Sequence, residues 1–122
     1  MKILIIEDNE QNLYLARYLL EARGHDVHDA KDGIEGLAVA RAERFDIILL
    51  DIQLPNMDGY EVARRLREMP GCGTVPIVAV TSHAMPGDRE QAMAAGCDGY
   101  MEKPIDPDRF ATDVESVVQR GN

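Results

Sequence analysis

Five short apolar runs, separated by longer amphipathic stretches, constrain the fold of this chain more than any other feature. The runs are "KILII" (2–6), "DVHDA" (26–30), "DIILL" (46–50), "PIVAV" (76–80) and "GYM" (99–101). A segment such as "IILL", apolar at every position, is typical of a strand buried on both faces. Strands that alternate with helices form a parallel sheet covered on both sides. We therefore predict a three-layer α/β sandwich with a five-stranded parallel sheet of order 2-1-3-4-5.

The stretches between the runs have the periodicity of helices, with apolar residues on one face. The predicted apolar faces are Leu13, Ala16 and Leu20 in the first helix, Ile34, Leu37 and Ala38 in the second, Val62, Leu66 and Met69 in the third, and Phe110, Val114, Val117 and Val118 in the last. The stretch 86–95 is short and is the poorest helix.

Capping residues mark the ends of these helices. The predicted capping groups are Asp32 with Glu35, Asp58 with Glu61, Asp106 before a first-turn Pro107, and Gly24 and Gly96 at C-termini. Their spacing supports five helices between and after the five strands.

Composition and charge limit the class of protein and of partner. A chain of 122 residues is expected to form one domain, residues 1–122. Acidic residues outnumber basic ones by 22 to 13, which argues against nucleic-acid binding. The sequence has neither an apolar run of about 18 residues nor a basic-then-apolar leader, so we expect a cytoplasmic protein with no membrane partner. Cys72 and Cys97 lack the spacing of a metal site and are predicted to be reduced thiols.

Polar residues suited to chemistry stand at the ends of four predicted strands. In open α/β sheets, ligands bind beyond the carboxyl ends of the strands, where the strand order reverses. The residues found there are Glu7 and Asp8 after the first strand, Asp51 after the third, Thr81 and Ser82 after the fourth, and Glu102, Lys103 and Pro104 after the fifth. Because the first and third strands are predicted neighbours, Asp8 and Asp51 should share a pocket, with Glu7 nearby.

Such a pocket suits a divalent cation and a phosphoryl group. Adjacent carboxylates repel each other unless a cation intervenes, and Mg²⁺ binds one or two carboxylates while keeping water and phosphate oxygens. The Lys103 ammonium can neutralise a phosphoryl group, and the Thr81 hydroxyl can donate a hydrogen bond to it. Asp51, the lone acid at the centre of the sheet, is the predicted nucleophile that forms an acyl phosphate, with Glu7 and Asp8 as metal ligands.

Four motifs together resemble the receiver domain of two-component response regulators. They are "EDN" (7–9), "LLDIQLPNMDG" (49–59), "VAVTS" (78–82) and "KP" (103–104), and the resemblance covers nearly the whole chain. It is greatest to single-domain receivers of cell-division control, the DivK kind, and to receiver modules of hybrid sensor kinases. It implies a flavodoxin-like (βα)5 fold. It also implies a phosphoprotein of phosphorelay signal transduction whose Asp51 is phosphorylated by a histidine kinase or histidine phosphotransferase. Such a protein is not an enzyme with its own substrate, although it assists its own phosphorylation and dephosphorylation.

The resemblance also implies roles for individual residues. Mg²⁺ or Mn²⁺ would be held by Glu7, Asp8, Asp51 and the backbone carbonyl of Gln53. Thr81 would be the switch hydroxyl, Lys103 the phosphate partner and Tyr100 the aromatic switch. Gln53 and His83 would tune the phosphoryl lifetime, and the peptide bond before Pro104 would be cis.

Phosphorylation is expected to act through a two-state element. If Thr81 moves towards the phosphoryl group, it vacates space beside the fifth strand, and Tyr100 can rotate inward. The face formed by the fourth helix, fifth strand and fifth helix would then change shape and bind a downstream protein. Met85 and Met93 are candidate contact residues, with core filling as the alternative for Met93. Met1 lies directly before the first strand, so we expect a stand-alone receiver, with an excised hybrid-kinase module as the alternative.

Other interpretations remain open for parts of this pattern. Phosphatases of the haloacid dehalogenase type also use an aspartate nucleophile with Mg²⁺, but they resemble "DxDxT", and Gln53 cannot protonate a leaving group. A flavodoxin-like electron carrier requires a phosphate-binding loop where this chain has "EDNEQN". A receiver-like scaffold that is never phosphorylated is a third alternative. Taken singly, Asp8 or Asn9 is explained as a helix cap, and His25 and His28, three residues apart in a strand, make a poor metal pair.

Overall fold

Strands and helices alternate throughout the computed structural model, which describes residues 1–82 and 84–120, except for the side chain of Arg120. The elements are β1 (Lys2–Ile6), α1 (Glu10–Glu21), β2 (Asp26–Ala30), α2 (Gly33–Ala42), β3 (Ile47–Asp51), α3 (Gly59–Glu68), β4 (Ile77–Thr81), α4 (Asp88–Ala94), β5 (Gly99–Glu102) and α5 (Phe110–Arg120). Both β3 and β4 lie one residue later than predicted. As a result Asp51 and Thr81 are the last residues of their strands.

The five strands form one parallel sheet of order β2-β1-β3-β4-β5, which confirms the predicted topology. All five residues of the central strand β3 are buried, as are all five of β4. In register, Leu50 pairs with Ile6, and Asp51 pairs with Val80. The carboxyl ends of β1, β3 and β4 therefore meet at one edge of the sheet.

Two apolar clusters pack the helices onto opposite faces of this sheet. Side chains of α1 and α5 pack on one face, and side chains of α2, α3 and α4 pack on the other. The predicted faces of the first, third and last helices are confirmed by their burial. Buried residues from these faces are Ala16, Leu20, Val62, Leu66, Phe110, Val114 and Val117, and Leu13, Met69 and Val118 are partly buried.

The predicted apolar face of α2 is wrong at two of its three positions, whereas Leu37 is partly buried against the core as predicted. Ile34 is 64% exposed and Ala38 is exposed, whereas the buried positions are Gly33, Gly36 and Ala40. A Cβ atom added to Gly36 would lie 2.5 Å from Cδ1 of Ile6. The helix therefore makes its closest contacts through its small residues, and Leu37 and Val39 add partly buried contacts to the same cluster.

Most predicted caps are present. The side chains of Asp32 and Asp58 accept hydrogen bonds from the backbone amides of Glu35 and Glu61, and Asn9 caps α1 through the amide of Asn12. Gly24 and Gly96 have the positive φ angles expected after helix C-termini. A turn at residues 107–109 follows Asp106, whose backbone carbonyl accepts a hydrogen bond from the amide of Phe110. The helix α5 therefore starts later than Pro107. The helix α4 has seven residues and no side-chain cap, in line with its weak pattern.

Cys72 and Cys97 are free cysteines, in line with the predicted reduced thiols, and both are buried. Burial raises the pKa of the Cys97 thiol to about 11. Among the described residues, no helix combines the length and the apolar character needed to cross a membrane.

Candidate functional site

Two buried carboxylates lie side by side at the carboxyl edge of the sheet. Asp51 ends β3 and Glu7 directly follows β1, its neighbour in the sheet. Asp51 is 4% exposed and Glu7 is 5% exposed, whereas the adjacent Asp8 is exposed. One oxygen from each of the three carboxylates can be chosen so that all lie within 4.8 Å of one another. The structure thus brings together the three acids that the strand order placed in one pocket.

Lys103 reaches this pocket from the end of β5. Its Nζ atom forms an ion pair with Oε1 of Glu7 and lies 3.3 Å from Oδ2 of Asp51. Burial raises the pKa of Glu7, and the neighbouring Asp51 raises it further, while Lys103 and the backbone amide of Asn9 lower it; the net pKa is above the ordinary value. Carboxylates therefore outnumber the ammonium group in the described part of the site, and a divalent cation would balance the excess.

Backbone amides orient both buried carboxylates. The amide of Gln53 donates to Oδ1 of Asp51 at 3.0 Å, and the amide of Asn9 donates to Oε2 of Glu7 at 3.1 Å. These bonds engage one oxygen of each group. The other oxygen of each faces Lys103.

Gly59 lets the first turn of α3 come close to the acidic residues. A Cβ atom at this position would lie 2.6 Å from the backbone oxygen of Asp51 and 2.7 Å from Cα of Ile52. The amide of Gly59 donates to the carbonyl of Ile52 at 2.9 Å, which closes the loop between β3 and α3. A larger residue would push α3 away from this loop.

Thr81 lies at the end of β4, next to the strand that carries Asp51. It is 1% exposed, and its hydroxyl oxygen accepts a hydrogen bond from the Gln53 side chain at 2.5 Å. The oxygen of the same carboxamide accepts from the backbone amide of Ser82 at 3.2 Å. The switch hydroxyl implied by the resemblance is therefore tied to the loop that follows Asp51.

The remaining predicted site residues lie further out. Tyr100 is a half-buried residue of β5 that packs against the cluster formed by α2, α3 and α4. The Lys103–Pro104 peptide bond is cis, as the resemblance implied. His83, predicted to tune the phosphoryl lifetime, lies outside the described residues.

His25, directly before β2, and His28, within β2, contact different groups. His25 lies 3.0 Å from the amino group of Met1 and 2.7 Å from Glu115. His28 lies 3.2 Å from Asp26 and packs edge-on against the ring of Phe45. The two rings thus have separate surroundings, in line with their assignment as a poor metal pair.

Two features of the site were not predicted. The side-chain bridge joins Gln53, in the loop after β3, to Thr81 at the end of β4, 28 positions later, so no local sequence pattern predicts it. The Asn9 amide that donates to Glu7 follows from the turn between β1 and α1. That contact was within reach of sequence reasoning, because an acid two residues before a helix cap can accept such a bond.

The chain matches the family model of the response regulator receiver domain over residues 3–115. It is 42% identical to the polar-differentiation response regulator DivK of Brucella anthropi over 116 residues, which cover 95% of this chain and 94% of that protein.

Solved structures show the same fold. The receiver domain of the sensor histidine kinase PA1611 from Pseudomonas aeruginosa, which has a magnesium ion coordinated in its active-site cleft, superposes with a TM-score of 0.88 at 34% identity, and 97% of each chain is covered. A two-component response regulator from Clostridium difficile has a TM-score of 0.92 at 27% identity, with 100% of this chain and 98% of that chain covered.

Proposed function

The chain belongs to the response regulator receiver-domain family, and on this premise we propose that Asp51 accepts a phosphoryl group from a histidine kinase or histidine phosphotransferase. The observation that carries the proposal is the placement of Asp51: a buried carboxylate that ends the central strand, beside Glu7 and Lys103. We further propose that residues 1–122 form a single receiver domain that acts in the cytoplasm.

In the proposed reaction, a carboxylate oxygen of Asp51 attacks the phosphorus of a phosphohistidine. The new bond is O–P, the bond that breaks is N–P, and the electron pair stays on the imidazole nitrogen of the donor. Phosphoryl transfer depends mainly on positioning and on neutralising the charge of the phosphoryl oxygens. Lys103, already beside Asp51, would donate to one of these oxygens, and Thr81 to another.

Mg²⁺, or Mn²⁺ in its place, fits the donor set of this site. Glu7, Asp8 and Asp51 supply carboxylate oxygens close enough to share an ion, and the backbone carbonyl of Gln53 would complete the protein ligands. When bound, the ion would neutralise charge on the phosphoryl oxygens. The magnesium ion in the related PA1611 receiver domain supports the same assignment here.

The acyl phosphate would be removed by water, with the chain's own residues assisting. Gln53 and His83 occupy the positions that would tune its lifetime. A phosphatase of the haloacid dehalogenase type receives no support, because Gln53, in the place of the required second acid, has a carboxamide with no acidic proton.

The phosphoryl signal would leave through protein contacts on the face formed by α4, β5 and α5. Thr81 and Tyr100 would couple this face to Asp51. Met85 is 66% exposed and Met93 is 36% exposed, so both side chains are available to a partner at this end of the molecule.

Intact mass after incubation with acetyl phosphate and Mg²⁺ tests the proposal. We expect one phosphoryl adduct on the wild type and on Asp108→Asn, a control at an exposed acid, and none on Asp51→Asn. Leaving out Mg²⁺ should prevent the adduct. Equal labelling of Asp51→Asn, or no labelling of the wild type by either acetyl phosphate or a phosphorylated histidine protein, would contradict it.

A further inference from the structure

The carboxamide of Gln53 joins two loops that border Asp51. Its Nε2 atom donates to Oγ1 of Thr81 at 2.5 Å, and its Oε1 atom accepts from the Ser82 amide at 3.2 Å and from the Ser82 hydroxyl at 3.5 Å. A backbone amide can only donate, so Oε1 must face Ser82, and the NH₂ group is left for Thr81. The contacts therefore define which way the carboxamide points.

This bridge restrains Thr81, the residue that has to move in the proposed switch. Thr81 is almost fully buried at the end of β4, and Ser82 begins the loop that leads to α4. Gln53 is itself held in place, because its backbone amide donates to Oδ1 of Asp51. The bridge thus connects the carboxylate that would be phosphorylated with the first residues that would respond.

We propose that the Gln53 side chain is a latch that stabilises the unphosphorylated arrangement. The bonds to Thr81 and Ser82 must break or shift before the Thr81 hydroxyl turns towards a phosphoryl group on Asp51. The inference rests on the proposed function of Asp51. It makes Gln53 a positioning residue that acts through Thr81, in addition to the metal-ligand role proposed for its backbone carbonyl. Loss of the latch shifts the population towards the activated arrangement.

Two substitutions distinguish a restraint by the hydrogen bonds of Gln53 from a restraint by the bulk of its side chain. Gln53→Ala removes the bridge and the bulk, whereas Gln53→Met keeps the bulk and removes both polar atoms. Both variants retain the backbone carbonyl and amide. Gln119→Ala, at an exposed position in the last turns of α5, makes the same chemical change away from the site.

The first measurement is solvent exchange of the Ser82 amide proton by NMR in the unphosphorylated protein. We expect faster exchange in both Gln53 variants than in the wild type and Gln119→Ala. The second is the initial rate of adduct formation with acetyl phosphate and Mg²⁺, followed by intact mass. We expect both Gln53 variants to gain about three- to tenfold, the factor that corresponds to one net hydrogen bond.

Each alternative outcome has a distinct meaning. If Gln53→Met behaves like the wild type while Gln53→Ala gains rate, coverage and not hydrogen bonding restrains the site, and the latch is rejected. If Ser82 exchange is unchanged in both variants, the bridge is not formed in solution, and the latch is again rejected. If the wild type forms no adduct with any donor, the proposed function fails, and Ser82 exchange decides by itself whether the bridge exists.

Discussion

Lys103 makes ionic contact with two carboxylates that are both almost fully buried, Glu7 and Asp51. One ammonium group offsets part of their mutual repulsion, and burial still raises the pKa of Glu7. With Asp8 at the rim of the same site, the local field favours cations. This residue-scale imbalance is the physical reason for proposing a divalent ion, and it has a consequence for stability.

We expect Mg²⁺ to raise the melting temperature of the wild type. An ion at about ten times its Kd stabilises the fold by about 1.4 kcal/mol, which corresponds to roughly 3–6 °C for a domain of this size. Asp51→Asn should lose most of this rise, since it removes a ligand, whereas the exposed control Asp108→Asn should keep it. Thermal unfolding with and without Mg²⁺ measures both. An equal rise in Asp51→Asn would exclude Asp51 from the ion site.

At the scale of single elements, the buried face of α2 is difficult to predict from its sequence pattern. Its large residue Ile34 faces solvent, and Gly33, Gly36 and Ala40 face the protein. A periodicity that weights large apolar side chains includes the exposed Ile34 and misses the small residues through which α2 packs most closely. The close approach of α2 to β1 depends on the missing Cβ of Gly36.

Gly36→Ala is therefore expected to destabilise the protein by about 1–3 kcal/mol, because its methyl group would meet three atoms of Ile6 in a well-packed core. This loss occurs even though alanine favours helix by about 1 kcal/mol over glycine. Ile34→Ala is the matched control and should change stability by no more than about 0.5 kcal/mol. Urea unfolding gives both values. If Gly36→Ala were as stable as the wild type and Ile34→Ala were destabilised, α2 would have to pack through Ile34 and not through Gly36.

At the scale of the whole molecule, side chains distant in sequence join α5 to the segment between α1 and β2. Glu115 of α5 accepts from Arg23 and lies 2.7 Å from His25, which are respectively 92 and 90 positions earlier in the chain. The hydrogen bond from Arg23 lowers the pKa of Glu115 most, and the hydrogen bond with His25 lowers it further. The ionised form of Glu115 is thus favoured in the folded chain.

A lowered pKa makes the stability contribution of Glu115 dependent on pH. The contribution is present above the pKa of the unfolded chain, about 4.3, and is lost as pH falls through the lower folded value. Glu115→Gln should be less stable than the wild type at neutral pH, by a small amount because the site is partly solvated. The difference should shrink in acid. Urea unfolding at neutral pH and at a pH below the pKa of Glu115 in the folded chain tests this, with Glu68→Gln, at an exposed position, as the control. A gap that persists in acid would show that the charge of Glu115 is not responsible.

Much of this molecule was predictable before its structure. Short apolar runs alternating with helices led to the parallel sheet, because a strand apolar at every position must be covered on both faces. The strand order led to the meeting of Glu7, Asp8 and Asp51, since carboxyl ends of parallel strands share one edge. The cis bond before Pro104 came from family resemblance alone.

The elements, their order and the acids of the site follow from the amino-acid sequence, because these depend on local periodicity and on a topology that few folds can satisfy. The close packing of α2 on β1 and the bridge from Gln53 to Thr81 are seen only in the folded molecule. Both features depend on distances between elements that no local pattern encodes. The first depends on Gly36, whose lack of a Cβ atom lets α2 approach β1, and the second on the Gln53 side chain, which bonds Thr81 at the end of the next strand of the sheet.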